Sequence, residues 1–337
     1  LLHTIHHAHL GDIHALQRLS DGTFVSASKD NCLYKWDDKG RCVRVISEVE
    51  PGLQTERSWV TAVSVINDAY FVSGNREGKV YLWKTNGEYV REIHVRQPGK
   101  DHVSMPYNLR RVNCLAVGLD QYRPSFFVGF PTTFDEYNFM EGRTTAVAKA
   151  HTNDWVYCIH PLSSKELLTV TGCVVDLWEK KESQWFFKEN IMPEGPITTF
   201  QEGGKLKRQR AFISSLVPLE GSDTHMALSL FEGSVRVLDI SSKTIVFSAK
   251  EHKRRVWTVQ PIGRGLLASG GEDCTIKLWD PRKKDSICTL SNHVGGVTAL
   301  SRLGEFSFLA GACPPNVLKG KEGAEIRFYD IRKLCDK

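Results

Sequence analysis

The sequence predicts an all-β protein assembled from repeated four-stranded antiparallel units, and three observations carry that expectation. Short alternating strands recur along the chain, tight polar turns punctuate them, and one pattern of small residues, turn acid and Trp-Asp returns at intervals. In LASGGEDCTIKLWD (267–280), small residues lead into a Glu-Asp turn and the strand that follows ends in Trp279-Asp280. FVSASKDNCLYKWD (24–37) and FVSGNREGKVYLWK (71–84) align with it, with weaker copies at 167–180, 227–240 and 321–333. The terminal Trp or its stand-in falls at 36, 83, 178, 238, 279 and 329.

Each copy reads as a hairpin with one buried face. Ahead of several copies stands a His followed by another alternating strand, as in AHLGDIHAL (8–16), AHTNDWVYCI (150–159), EHKRRVWTV (251–259) and NHVGGVTAL (292–300). One unit therefore holds about four short strands in roughly 40–50 residues. The interval from 83 to 178 is twice one spacing. It predicts a degenerate third unit with strands near 112–119, 125–131, 134–140 and 144–149.

With His, turn Asp and Trp-Asp in register, the chain resembles the WD-repeat family of β-propellers over essentially its whole length. The resemblance implies a seven-bladed β-propeller of four-stranded antiparallel blades in one domain, 1–337. Blades 1 and 6 match best, through His9, Asp30, Trp36-Asp37 and His252, Asp273, Trp279-Asp280. Blade 5 has Leu238 for the Trp and Glu232 for the turn acid, and blade 7 ends in Tyr329-Asp330. AEIRFYDIRK reads as a third strand without a fourth, while LLHTIH precedes the first His. The N-terminal strand is therefore expected to complete blade 7 and close the ring.

Ser269, His252 and Asp273, like Ser26, His9 and Asp30, form a Ser-His-Asp set that invites a hydrolase reading. In the family these positions, with the Trp, make a buried hydrogen-bond chain. Recurrence favours that structural role, because an active site needs to occur only once. Trp83 and Trp178 hold the same place in blades 2 and 4. No nucleophile elbow or phosphate-loop spacing is present, so the reading is non-enzymatic with no cofactor. His3, His6, His7 and His9 raise metal binding, but alternation along a strand sends them to opposite faces, and no metal site is assigned.

Composition sets further bounds. Lys and Arg number 44 against 39 Asp and Glu, too mild a balance to imply nucleic acid. No apolar run approaches the length of a membrane span. Nine scattered cysteines without a C-x-x-C pair suit reduced thiols in a cytoplasmic or nuclear protein.

The repeat accounts for Trp36, Trp83, Trp178 and Trp279, and Trp185 falls on an expected outer strand where packing explains it. Trp59, Trp155 and Trp257 remain, each near the start of a blade's innermost strand. In the resembling family that place borders the channel mouth on the top face, a common site for gripping peptides. The same register brings Asp12, His14, Lys29, Arg76, Arg111, Asn113, Tyr157, Phe231, Arg255 and Glu272 there.

The expected function is a protein-interaction scaffold or recognition module. Trp59, Trp155, Tyr157, Phe231 and Trp257 would be its apolar anchors, and Lys29, Arg76, Arg111 and Arg255 would hold an acidic or phosphorylated peptide. The alternative is a substrate-recognition subunit of a ubiquitin ligase or other regulatory complex, with a second domain ahead of Leu1. A weaker reading is an anionic-lipid binder acting through KLKRQR (205–210), expected in a loop of blade 5, or PRKK (281–284). The connections 94–111 and 311–323 are further candidate contact surfaces.

Overall fold

A computed structural model describes residues 1–47, 58–95, 110–120, 123–152, 154–192, 197–202, 205–283, 285–314 and 323–334. Seven four-stranded antiparallel sheets account for 28 of its 30 strands. Their innermost strands are Ile13–Arg18, Val60–Val65, Cys114–Val117, Val156–Pro161, Ile213–Pro218, Val256–Gly263 and Val297–Arg302, in blades 1 to 7. Each innermost strand touches that of the next blade, and blade 7 returns to blade 1, so the ring is closed around a central axis.

Closure is made by the N-terminal strand His3–His9, which pairs antiparallel with Ala324–Asp330 as the outer strand of blade 7. The degenerate third blade is present as Cys114–Val117, Ser125–Gly129, Thr133–Asn138 and Arg143–Lys149. One expectation is corrected: KLKRQR is not a loop within blade 5. Lys205–Arg210 is a strand paired with Ile197–Glu202, a separate hairpin between blades 4 and 5. A run of like charges does not by itself exclude a strand where a partner strand supplies the backbone hydrogen bonds. Of the expected contact loops, 96–109 and 315–322 lie outside the described residues, as does Lys284 of the PRKK stretch.

The apolar core is divided among the interfaces, with a separate cluster between every pair of neighbouring blades. Between blades 6 and 7, for example, Ile262, Ala268, Ile276 and Leu278 pack on Leu300, Phe308, Ala310 and Tyr329. Approach of the blades is close: a Cβ added at Gly270 would lie 2.6 Å from Val297 Cγ1.

Within blade 6, Trp279 Nε1 donates to Ser269 Oγ at 2.8 Å, Ser269 meets His252 Nε2 at 2.7 Å, and His252 Nδ1 meets Asp273 at 3.0 Å. Asp273 also accepts from the Lys253 and Thr275 amides, so one carboxylate ties the turn to the segment entering the blade. Burial alone would raise its pKa; hydrogen bonds from His252 and Thr275 outweigh that and hold it well below the usual carboxylate range. Blade 1 repeats the chain through Trp36, Ser26, His9 and Asp30. Trp83 and Trp178 bond to Ser73 and Thr169 in the same way.

Blades 4 and 7 carry a His ahead of the innermost strand but use it differently. In blade 4, His151 lies five residues ahead of Val156, whereas His252 lies four ahead of Val256. The extra residue puts His151 outside, exposed and stacked on Phe187 with ring centroids 3.9 Å apart. In blade 7, His293 bonds to Glu325 and to the Tyr329 hydroxyl, both at 2.9 Å, so Tyr329 replaces serine and indole together.

Candidate interaction face at the axial end of the ring

The innermost strands run in the same sense around the axis, so their first residues collect at one axial end. There the backbone repeats a contact: the residue before the turn acid donates to the carbonyl of the residue before the innermost strand's first core position. The pairs are Lys29 to Asp12, Arg76 to Trp59, Phe231 to Phe212 and Glu272 to Arg255, at 2.8 to 3.0 Å. Two side chains per blade are thereby fixed side by side at the rim.

A second device acts on the next residue inward. In six blades the innermost strand carries a register shift just after its first residue, at Ile13/Ala15, Val60/Ala62, Val156/Cys158, Ile213/Ser215, Val256/Thr258 and Val297/Ala299. The extra residue in each is His14, Thr61, Tyr157, Ser214, Trp257 or Thr298. A bulge takes its residue out of the alternation and re-aims the side chain. Where that residue is small, its hydroxyl closes the seam to the next blade: Thr61 bonds to Val112 O, Ser214 to Val256 O and Thr298 to Ile13 O, each at 2.6 Å. Blades 1, 4 and 6 give the position to His14, Tyr157 and Trp257 instead.

Two aromatic and cationic clusters result. On the side of blades 1 and 2, Lys29 Nζ lies 4.5 Å and Arg76 Cζ 4.2 Å from the centroid of the Trp59 ring, with His14 at 6.3 Å ring to ring. Lys29 is also 3.5 Å from Asp12. On the side of blades 5 and 6, Phe231 meets Trp257 edge to face at 5.2 Å and Phe212 at 6.0 Å. The exposed Arg255 lies 5.1 Å from the Phe231 centroid and 5.8 Å from that of Trp257. Trp155 and Tyr157 form a third pair with centroids 6.3 Å apart. The side chains of Trp59, Trp155, Tyr157, Phe231 and Trp257 are partly exposed, in contrast to the buried Trp83 and Trp279.

Arg111 and Asn113 bring blade 3 to the same end. Burial and the nearby Arg76 push the Arg111 guanidinium below its ordinary value, opposed by Tyr157. Burial, then Arg111, lowers His14 to about 4, so its imidazole is neutral near pH 7.

Phe212 was not among the residues singled out by sequence; blade 5 lacks the His from which the register is counted, and only the apolar residue ahead of Ile213 hinted at it. Trp185 does more than pack. Its indole donates to Glu136 of blade 3 at 2.9 Å, and Lys180 donates to the same carboxylate at 2.7 and 2.9 Å. The Ser-His-Asp sets sit elsewhere, with Ser26 and Ser269 wholly buried and out of reach of a substrate carbonyl. The histidine run is dispersed: His3 lies against Phe328, His7 accepts from the Gly323 amide, and His9 belongs to the blade 1 chain. Among the described residues, no three His, Cys, Asp or Glu side chains gather as metal ligands.

A closed ring of radial four-stranded sheets with one contoured axial end defines a β-propeller. A family model described as WD domain, G-beta repeat, matches residues 1–37 and 243–280. The E3 ubiquitin-protein ligase COP1 of Arabidopsis thaliana is 25% identical over 127 residues, 37% of this chain and 18% of that protein. Protein SPA1-RELATED 3 of the same plant is 37% identical over 83 residues, 24% of this chain and 10% of its own length. WD repeat-containing protein RUP2, also from Arabidopsis thaliana, is 35% identical over 117 residues, 32% of this chain and 30% of that one. The matched region thus spans less than a third of each relative. The solved structure of U3-55K superposes with a TM-score of 0.72 over 96% of this chain and 97% of that one at 18% identity, which shows a shared fold. The chain is thus a seven-bladed β-propeller that carries WD repeats at residues 1–37 and 243–280.

Proposed function

We propose that this propeller is a non-enzymatic recognition module that binds peptide segments of other proteins, acidic or phosphorylated ones, across the axial end built by Trp59, Trp155, Tyr157, Phe231 and Trp257. The observation that carries the reading is the coupling of partly exposed aromatic rings to cations at two separate places on one face. Large aromatics left in contact with water are costly and mark binding surfaces, and Arg offers paired donors to carboxylate and phosphate oxygens. No disulfide joins the eight described cysteines, in keeping with a reducing cytoplasmic or nuclear setting.

The test is crosslinked capture from cell extract with the intact protein and a Trp155→Ala, Arg255→Glu variant matched for thermal stability. Partners held by the first and lost by the second support the axial face. Equal capture by both overturns it.

A second reading has a specific support. The similarity to COP1, named an E3 ubiquitin-protein ligase, favours a substrate-recognition role within a ligase assembly. Ligase subunits among the crosslinked partners, and faster turnover of the partners that need the aromatic face, would distinguish it from a plain scaffold. Capture that survives the variant but falls steeply with salt would instead assign the contact to basic segments and an anionic surface.

A further inference from the structure

The described cations that are most buried elsewhere in the ring are matched to carboxylates. Lys35 pairs with Asp21, Lys180 with Glu136, Arg236 with Glu232, Lys277 with Glu251 and Arg327 with Glu325, at 2.7 to 3.2 Å. Arg111 breaks this pattern. It has no hydrogen bond or ion pair to any described residue, its Nε is buried without an acceptor, and the cation Arg76 lies near enough to disfavour its charge. Removing a cation from water without a counter-ion is costly, so an unmatched one needs a reason.

Two neighbours share the condition. Asn113 Nδ2 and His14 Nε2 are buried at the same axial end and also lack a hydrogen-bond partner among the described residues. Trp59 stands between blades 1 and 3, and Lys29 and Arg76 lie over its ring. The carboxylate of Asp12 lies at this rim, and Lys29 already holds it at 3.5 Å. This sector of the mouth therefore has donors and positive charge in excess of acceptors, whereas the sector of blades 5 and 6 is mainly aromatic.

We infer that Arg111, flanked by Arg76 and Lys29 with His14 and Asn113 as neutral groups, forms a socket for one multi-oxygen anion carried by a bound peptide, while blades 4 to 6 take the peptide's apolar residues. The inference rests on the peptide-binding reading and adds a division of the face to it. A guanidinium offers five donors in a planar fork, which suits a phosphate or carboxylate whose remaining oxygens can meet the Asn113 amide and the His14 ring. Trp59 keeps the socket walled on one side and leaves the charges less hydrated, which strengthens the attraction.

The experiment uses inorganic phosphate, N-acetyl-phosphoserine amide and N-acetyl-glutamate amide as probes, at fixed ionic strength against chloride. Thermal stability and the His14 ring resonances are the readouts. Phosphate should raise the melting temperature of the intact protein in a saturable way and shift the His14 resonances. Arg111→Gln should weaken phosphate at least tenfold and, in phosphate-free buffer, melt no lower than the parent, because an unmatched charge has gone. Arg255→Gln, in the other sector, should leave phosphate binding unchanged.

Should Arg111→Gln fail to fold, Asn113→Ala provides the same comparison. A tenfold preference for the phosphoserine amide assigns a phosphorylated side chain, and the reverse preference an acidic one. No saturable response to any probe, or equal binding by Arg111→Gln, overturns the socket. Loss of partner capture in the Trp155, Arg255 variant with no phosphate response would leave the peptide-binding reading standing and remove only the socket. Phosphate binding with unchanged capture would do the opposite.

Discussion

Ser269 shows how much one small side chain fixes. A Trp indole can only donate and an Asp carboxylate can only accept, so the chain has a direction: Trp279 donates to Ser269, Ser269 to His252 Nε2, and His252 Nδ1 to Asp273. Ser269→Ala keeps the volume nearly constant but strands an indole N–H and an imidazole nitrogen where no water reaches. Each such group costs about 1–3 kcal/mol, so the variant should lose about 2–4 kcal/mol, read as a lower denaturation midpoint. Thr169 does the serine's work for Trp178 in blade 4, so Ser269→Thr should recover part of the loss.

At the scale of the element, the bulge at the start of the innermost strand divides labour among the blades. Thr61, Ser214 and Thr298 use it to bond the next blade, and His14, Tyr157 and Trp257 use it to face the axis. Blade 3 has no such bulge, and its tie to blade 4 runs in part through Glu136, which accepts from Lys180 and Trp185. Glu136→Gln removes the charge opposite a half-buried lysine. It should destabilise the ring by about 2 kcal/mol, and adding Lys180→Met should restore most of that in urea unfolding.

These elements also show what could be read in advance. The hairpins, the seven-fold count and the closing strand were legible because alternation, the turn acid and the Trp recur at fixed intervals. The contacts of Glu136 and Glu325 were not, since each answers groups on another strand or another blade and leaves no spacing behind. His151 matched the pattern by type but stood one residue out of place. Nor do bulges show in one strand's sequence, for they are a relation between two. The rim aromatics were visible because the repeat did not account for them, whereas the pairing of Trp59 with Lys29 and Arg76 depends on how blades 1 and 2 meet.

On the scale of the whole molecule, stability is shared among seven interfaces, each with its own apolar cluster, and the ring has no surplus interface to lose. Removing residues 1–9 would uncover the Ala324–Asp330 edge and strip Ile5 and Ala8 from the cluster between blades 7 and 1. The truncated protein should melt lower and self-associate on size-exclusion chromatography as its concentration rises, and a synthetic peptide of residues 1–12 should reverse both. Unchanged melting and a monomeric profile would show that the seal is dispensable.

That seal also imposes an order in time. His7 and Gly323, bonded in the finished ring, are 316 residues apart. At synthesis rates of about 5–20 residues per second, the first strand waits roughly 15–60 s for its neighbour to be made. Blades 1 to 6 each draw four consecutive strands and can assemble as the chain emerges, but blade 7 cannot. For roughly 15–60 s the cell therefore handles a strand with no partner and a horseshoe with two open ends, and a chaperone that shields residues 3–9 would act at the step on which completion depends.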